Sequence, residues 1–287
     1  MSRTSIGNKQ FARIMHKVAD EMREFMPRTV SSENMQRLSG TAIKMAVDLG
    51  EEVSRTVIYT AAQFNARRVI VDGLEEQLEV GDLERVAGLL GSEKVVDFYK
   101  SNKQRGELDA GLKAIFHVAK NADKKAVSRM TDFANGYIAS GARGLESFLI
   151  RPMVYVANSK DYMRFVELAD NEKFYDFAKK IKRSYQYKNV LKYLGQIAWH
   201  IANNKNDKAV YKSVVERADS LDGRRLGDEM NFLSCIGQSR NSASDVRKAI
   251  GILSGLSDRE LYDASIQRNS TSVEVLSAYA KQCLKSR

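Results

Sequence analysis

Two prolines in 287 residues, Pro27 and Pro152, constrain this chain more than any other feature. Proline removes a helical hydrogen-bond donor, and its ring collides with the preceding turn. A long chain with so few breakers can stay helical almost throughout. Runs of β-branched residues at strand period are missing as well. The sequence therefore reads as all-α. No stretch approaches the roughly 18 apolar residues that a membrane span needs, so no membrane partner is expected.

Apolar residues recur at helical spacing in segments separated by short polar breaks. The spacing predicts helices at 8–25, 32–48, 50–65, 71–79, 81–90, 93–103, 107–121, 124–139, 143–159, 161–182, 187–203, 207–220, 223–238, 243–254, 258–266 and 271–285. Several breaks carry capping residues. Ser31 and Ser32 precede a helix with Glu33 in its first turn. Asp72 stands three residues before Glu75, and Ser257 three before Glu260, both at capping-box spacing.

The chain also resembles itself. Phe116-His117-Val118-Ala119-Lys120-Asn121, then Lys125-Ala126-Val127, returns 83 residues later as Trp199-His200-Ile201-Ala202-Asn203-Asn204, then Lys208-Ala209-Val210. Val154 to Ser159 and Cys235 to Ser239 are looser copies. The anchors Val118, Val156, Ile201 and Ile236 are spaced by 38, 45 and 35 residues. Each anchor has an aliphatic or small neighbour on one helix face, as in Ile115 with Val118 or Leu233 with Ile236. One helical hairpin cannot bury its apolar face alone, so such units stack on their neighbours. The expected architecture is an array of stacked helical hairpins resembling an α-solenoid. We expect residues 106–287 to form this repeat domain and residues 1–105 a separate N-terminal helical domain.

At these anchors the chain resembles the octotricopeptide and heptatricopeptide repeat families of organelles. Their units are paired helices of similar length, the first ending in an Ala-Lys-Leu-Gly-like turn. The matching turns are Ala119-Lys120-Asn121, Ala157-Asn158-Ser159, Ala202-Asn203-Asn204 and Gly237-Gln238-Ser239. The resemblance covers about residues 107–285, with an echo over 8–66. It implies RNA binding in mitochondria or plastids, in some members as part of a ribosome. The 45-residue step and the missing Leu-Gly turn depart from the family, so no RNA-reading position is carried over.

Residues 27–79 resemble a different family, the histone fold. A basic loop at Pro27–Ser32, a long central helix over 32–64, a second basic loop around Arg67-Arg68 and a short closing helix follow in order. The resemblance implies a DNA partner, with Arg28, Arg67 and Arg68 on phosphates. Leu49-Gly50 can break the long helix, and a second copy would place Pro152 inside its own.

The formal net charge is +10, which favours polyanionic partners. Candidate nucleic-acid contacts begin with Lys179, Lys180, Lys182, Arg183, Lys188 and Lys192, interleaved with Tyr185, Tyr187 and Tyr193. Cations there would bind phosphates and rings would stack on bases, unless the tyrosines pack inward between two hairpins. Lys124, Lys125 and Arg129 are echoed by Lys208 and Lys212 at helix starts, and Arg224 and Arg225 extend the series. Cations at a helix start oppose the macrodipole, which a bound anion would relieve.

No Walker loop, zinc-protease helix or nucleophile elbow occurs. Cys235 and Cys283 have no metal spacing. His117 and His200 share a repeat position and read as packing residues. No catalytic residue, metal or cofactor is expected. The acid-free, amphipathic segment from Met1 to Lys17 has the character of a mitochondrial targeting peptide or of a first surface helix. The expectation is a non-enzymatic RNA-binding subunit of a mitochondrial ribosome or similar complex, binding rRNA and neighbouring proteins in the matrix. A histone-like DNA-compacting protein and a protein-binding scaffold are the alternatives.

Overall fold

The computed structural model describes residues 7–78, 82–102, 105–121, 123–149, 159–180, 185–204, 207–239, 241–266 and 272–285. These residues are all-α, without a strand among them. The helices are α1 (Asn8–Phe25), α2 (Ser32–Asp48), α3 (Glu51–Gln63), α4 (Arg68–Leu78), α5 (Leu83–Leu90), α6 (Glu93–Ser101), α7 (Arg105–Asn121) and α8 (Lys124–Ala139). They continue as α9 (145–149), α10 (Ser159–Ala169), α11 (Glu172–Lys180), α12 (Tyr185–Asn204) and α13 (Lys208–Asp219). The last four are α14 (Gly223–Ile236), α15 (Ser242–Ser254), α16 (Asp258–Ile266) and α17 (Val273–Lys285).

Local chemistry sets the boundaries. The Ser31 hydroxyl accepts from the Asn34 amide at 3.3 Å and opens α2. At the start of α16, Glu260 accepts from the Ser257 amide at 2.7 Å, while the Ser257 hydroxyl accepts from the Glu260 amide. That is the reciprocal capping box expected from the spacing. Asp72 and Glu75 behave differently. Both lie inside α4, because Asn65 and Ala66 at φ 50° and 43° turn the chain early and let the helix begin at Arg68. Their carboxylates pair instead with Arg37 of α2.

One predicted helix is interrupted, and the break expected between the spans 32–48 and 50–65 is present. The span 161–182 is α10 and α11, separated at Asp170-Asn171. Asn171 closes one helix by donating to Leu168 and Ala169 carbonyls, and opens the next by accepting from the Phe174 amide at 2.9 Å. The long helix over 32–64 required by a histone-like arrangement is α2 and α3. Gly50, at φ 107°, breaks it in a conformation that side-chain-bearing residues avoid. The Ser54 hydroxyl then donates to the Ala42 carbonyl at 2.9 Å, so α3 folds back on α2. The looser repeat copy at 154–159 and Pro152 fall outside the described residues, apart from the Ser159 backbone at the start of α10.

The chain forms two compact units, residues 1–131 and 132–287. The break expected at 105/106 falls within α7, inside the first unit. Within each unit, helices pack on their second neighbours as well as on adjacent ones. In the first, α1, α3, α5 and α7 touch in succession and α2 touches α4. In the second, α10, α12, α14 and α16 form one row, while α11, α13, α15 and α17 form another.

Polar bonds connect successive hairpins. In the first unit Lys17 pairs with Glu51, Asn65 donates to the Tyr99 hydroxyl at 3.1 Å, and Lys94 donates to the Ser128 hydroxyl at 2.7 Å. Each of these pairs is 34 residues apart in the chain. In the second unit the Ser234 hydroxyl donates to Gln196 at 2.8 Å across 38 residues. The Ser242 hydroxyl donates to the His200 carbonyl at 3.0 Å across 42.

The anchors Ile115, Val118, Ile201, Leu233 and Ile236 are all buried, as are the small residues Ala119 and Ala202 beside them. The second unit opens on an aromatic cluster. Phe148 lies 4.5 Å from Phe174 and 5.2 Å from Phe165, centroid to centroid, with Phe133 and Tyr137 alongside. Here α12 approaches so closely that a Cβ at Gly195 would sit 2.2 Å from the Phe148 carbonyl oxygen.

Candidate nucleic-acid interface

Charge divides unevenly between the two rows of the second unit. Helices α10, α12, α14 and α16 carry 7 Lys/Arg against 7 Asp/Glu. Helices α11, α13, α15 and α17 carry 10 against 6, so the excess lies in one row.

Part of this row is neutralised internally. Lys173 pairs with Glu216 and holds its carboxyl below the usual range. Lys180 pairs with Asp219 at 2.7 Å, and Arg247 with Asp207 at 3.1 Å. Asp207 also caps α13, accepting from the Val210 amide at 3.1 Å. Arg217 grips the fully buried Glu229 of α14 with two hydrogen bonds of 2.8 and 2.7 Å. Six exposed lysines remain without an ion pair among the described residues: Lys179, Lys208, Lys212, Lys248, Lys281 and Lys285.

The residues picked out from sequence separate accordingly. Lys179 and Lys180 on α11 and Lys208 and Lys212 on α13 lie on neighbouring helices, with Lys180 committed to Asp219 at the far end of α13 from Lys208. Lys188 is exposed and Tyr187 and Lys192 are half-buried on α12, in the other row. Lys124, Lys125 and Arg129 are exposed on α8 in the first unit. Lys182, Arg183 and the Tyr185 side chain lie outside the described residues.

Adjacent Arg224 and Arg225 have opposite fates. Arg224 is exposed over the Tyr262 ring, 4.1 Å from its centroid, and reaches Asp228 at 3.4 Å. Arg225 is half-buried and committed to bonds within the unit. It donates to Glu229 at 2.8 Å, to Asp258 at 2.6 Å, and to the Leu253 and Leu256 carbonyls at 3.2 and 2.8 Å. Neighbours on a helix point about 100° apart, so one can face solvent while the other is buried.

Lys248, Lys281 and Lys285 were not among the sequence candidates. Lys281 and Lys285 share α17 and Lys248 follows Arg247 on α15, and only the packing of α15 on α17 puts Lys248 and Lys281 on one groove. The usable sequence signal was the 40-residue step from Lys208 to Lys248, close to the spacing of the anchors.

The repeat histidine His200 is half-buried, and burial depresses its pKa. Its neighbour Trp199 is half-buried and Phe116, at the equivalent position, is buried. Among the described residues no group of three or more His, Cys, Asp or Glu side chains could hold a metal ion. No helix among them is long and apolar enough to cross a membrane. Comparison with known protein families, with curated proteins and with solved structures gives no match.

Proposed function

We propose that the protein is a non-enzymatic RNA-binding helical-repeat protein, working as a structural subunit of a mitochondrial ribosome or comparable ribonucleoprotein. The observation that carries this reading is the row of exposed, unneutralised lysines on α11, α13, α15 and α17. Lysines left without carboxylate partners on stacked helices provide a track for successive phosphates. The alternate-helix packing and the polar bonds between hairpins support the stacked, solenoid-like repeat on which the family resemblance rests. Arg224 on Tyr262 adds an exposed cation and ring of the kind on which a base can stack.

The test is binding of single-stranded RNA and duplex DNA across a salt series, with wild type and a Lys179→Ala/Lys208→Ala/Lys212→Ala variant. The expected result is a preference for RNA and a log–log salt slope that falls by about 2 in the variant. Duplex DNA binding unchanged by the variant would favour the histone-like alternative, against which the break at Gly50 counts. Failure to bind either at low salt would overturn the proposal in favour of a protein-binding scaffold. The exposed Phe11 and Met15 on α1, and Val275 and Leu284 on α17, are the observation favouring that second reading.

A further inference from the structure

Two grooves open between successive helices of the lysine-bearing row, and their chemistry differs. The groove between α11 and α13, about 340 Å³, is lined by Lys173, Lys179 and Lys180 and by Asp176, Glu216 and Asp219. Its charges balance. The pairs Lys173–Glu216 and Lys180–Asp219 run across it from helix to helix. An anion entering there would have to displace carboxylates already in place.

The groove between α15 and α17 is about 690 Å³, within the usual range for a small-molecule site. Lys248 stands on one wall and Lys281 on the other, both exposed and neither in an ion pair. Glu274 is the single acid on its lining. Between the lysines the surface is apolar, with Ile252 and Val273 in it. Gly251 leaves room there, since a Cβ at that position would meet nothing within 4 Å.

We propose that this groove receives one unpaired nucleotide of a single-stranded RNA, its base over Ile252 and Val273 and its flanking phosphates on Lys248 and Lys281. The inference rests on the RNA-binding reading above and adds a location and a requirement for unpaired bases. The charge complementarity is to a strand whose phosphates can sit on both rims at once. A base held in a duplex is already stacked and paired, and cannot enter a cleft between two helices. The preference for single strands then follows from shape, while the affinity follows from the lysines.

The test separates shape from charge by anisotropy of labelled oligoadenylate and of a duplex RNA on the full chain. Gly251→Leu fills the groove from α15 with a better helix former and leaves every charge in place. Ser277→Leu fills it from α17. We expect each to weaken single-strand binding about tenfold, the order expected from burying one apolar base face, with the salt slope unchanged. Lys248→Ala/Lys281→Ala is expected to lower the slope by about 1.4. Duplex binding should not respond to either leucine. Wild-type affinity in both leucine variants, with normal circular dichroism, would overturn the groove while leaving RNA binding intact. Absence of any RNA binding by the wild-type chain at low salt would overturn the underlying reading and the groove with it.

Discussion

The two units differ in how much positive charge they leave over. Residues 1–131 hold 21 Lys/Arg against 18 Asp/Glu, and residues 132–287 hold 25 against 18. In the first unit, cations that reach the next hairpin meet carboxylates there: Lys17 meets Glu51, Arg37 meets Asp72 and Glu75, Arg67 meets Asp109, and Lys120 meets Glu76. In the second, Lys173 meets Glu216, Lys180 meets Asp219 and Arg247 meets Asp207 in the same way. Glu229 draws in Arg217 and Arg225, and a row of lysines is left over. The cores differ too, with 7 aromatic residues in the first unit and 17 in the second. Both units use ion pairs to register their helices, and the second carries the larger cationic remainder and the larger aromatic content.

The sharpest way to break this comparison is to remove the carboxylates. Glu229→Ala leaves two guanidinium groups facing a buried hole and is expected to destabilise the second unit by about 3 kcal/mol or more. Glu75→Ala removes a carboxylate that water still reaches, and the expected loss in the first unit is below about 1 kcal/mol. Urea unfolding followed by Trp199, the single tryptophan, reads the second unit, and far-ultraviolet circular dichroism reads the whole chain. Equal losses at the two sites would erase the distinction.

Glycine substitutions sharpen the packing side. Gly195→Ala pushes a methyl group into the Phe148 carbonyl and is expected to cost about 2 kcal/mol. Gly40→Ala, at an exposed position of α2 with nothing within 4 Å of the new Cβ, is expected to stabilise by about 1 kcal/mol. Thermal unfolding of the two variants should therefore move in opposite directions.

The charge side responds in binding. Lys208→Ala/Lys212→Ala is expected to lower the RNA salt slope by about 1.4, whereas Arg37→Ala/Lys120→Ala should leave it unchanged. A reduction in the second variant would mean that the paired cations of the first unit also contact RNA.

The smallest expected effect is on pH. Burial lowers the pKa of His200 below its ordinary 6.5, so between those values the unfolded chain binds the additional proton. Its stabilising effect is complete above pH 6.5 and is lost as pH falls toward the folded value. His200→Gln should flatten that acid-side decline in urea midpoints monitored by Trp199, and an unaltered decline would count against it.

Much of the fold was legible in the sequence. The bounds of α1, α2, α8 and α16 match the expected spans, because apolar period and cap residues agree there. The break at Asn171 was hidden because aromatic and aliphatic spacing runs on across it, although Asp170-Asn171-Glu172 is itself a cap signature. The site was less legible. A cluster of lysines in sequence, such as 179–183, is visible at once, whereas Lys248 and Lys281 are 33 residues apart and meet only through packing. Arg225 misled for the converse reason. Its charge is plain in the sequence, but its burial against Glu229 depends on where α16 begins.

The hydrogen bonds and ion pairs that join hairpins, among the described residues, reach no farther than the 44 residues from Glu76 to Lys120. No segment has to wait for a distant stretch of chain before it can dock. Contacts so local in sequence favour rapid folding. They also suit assembly during synthesis, when the chain emerges from its amino end at about 5–20 residues per second. Each hairpin can lock onto its predecessor within seconds of appearing, so little apolar surface is exposed at any moment.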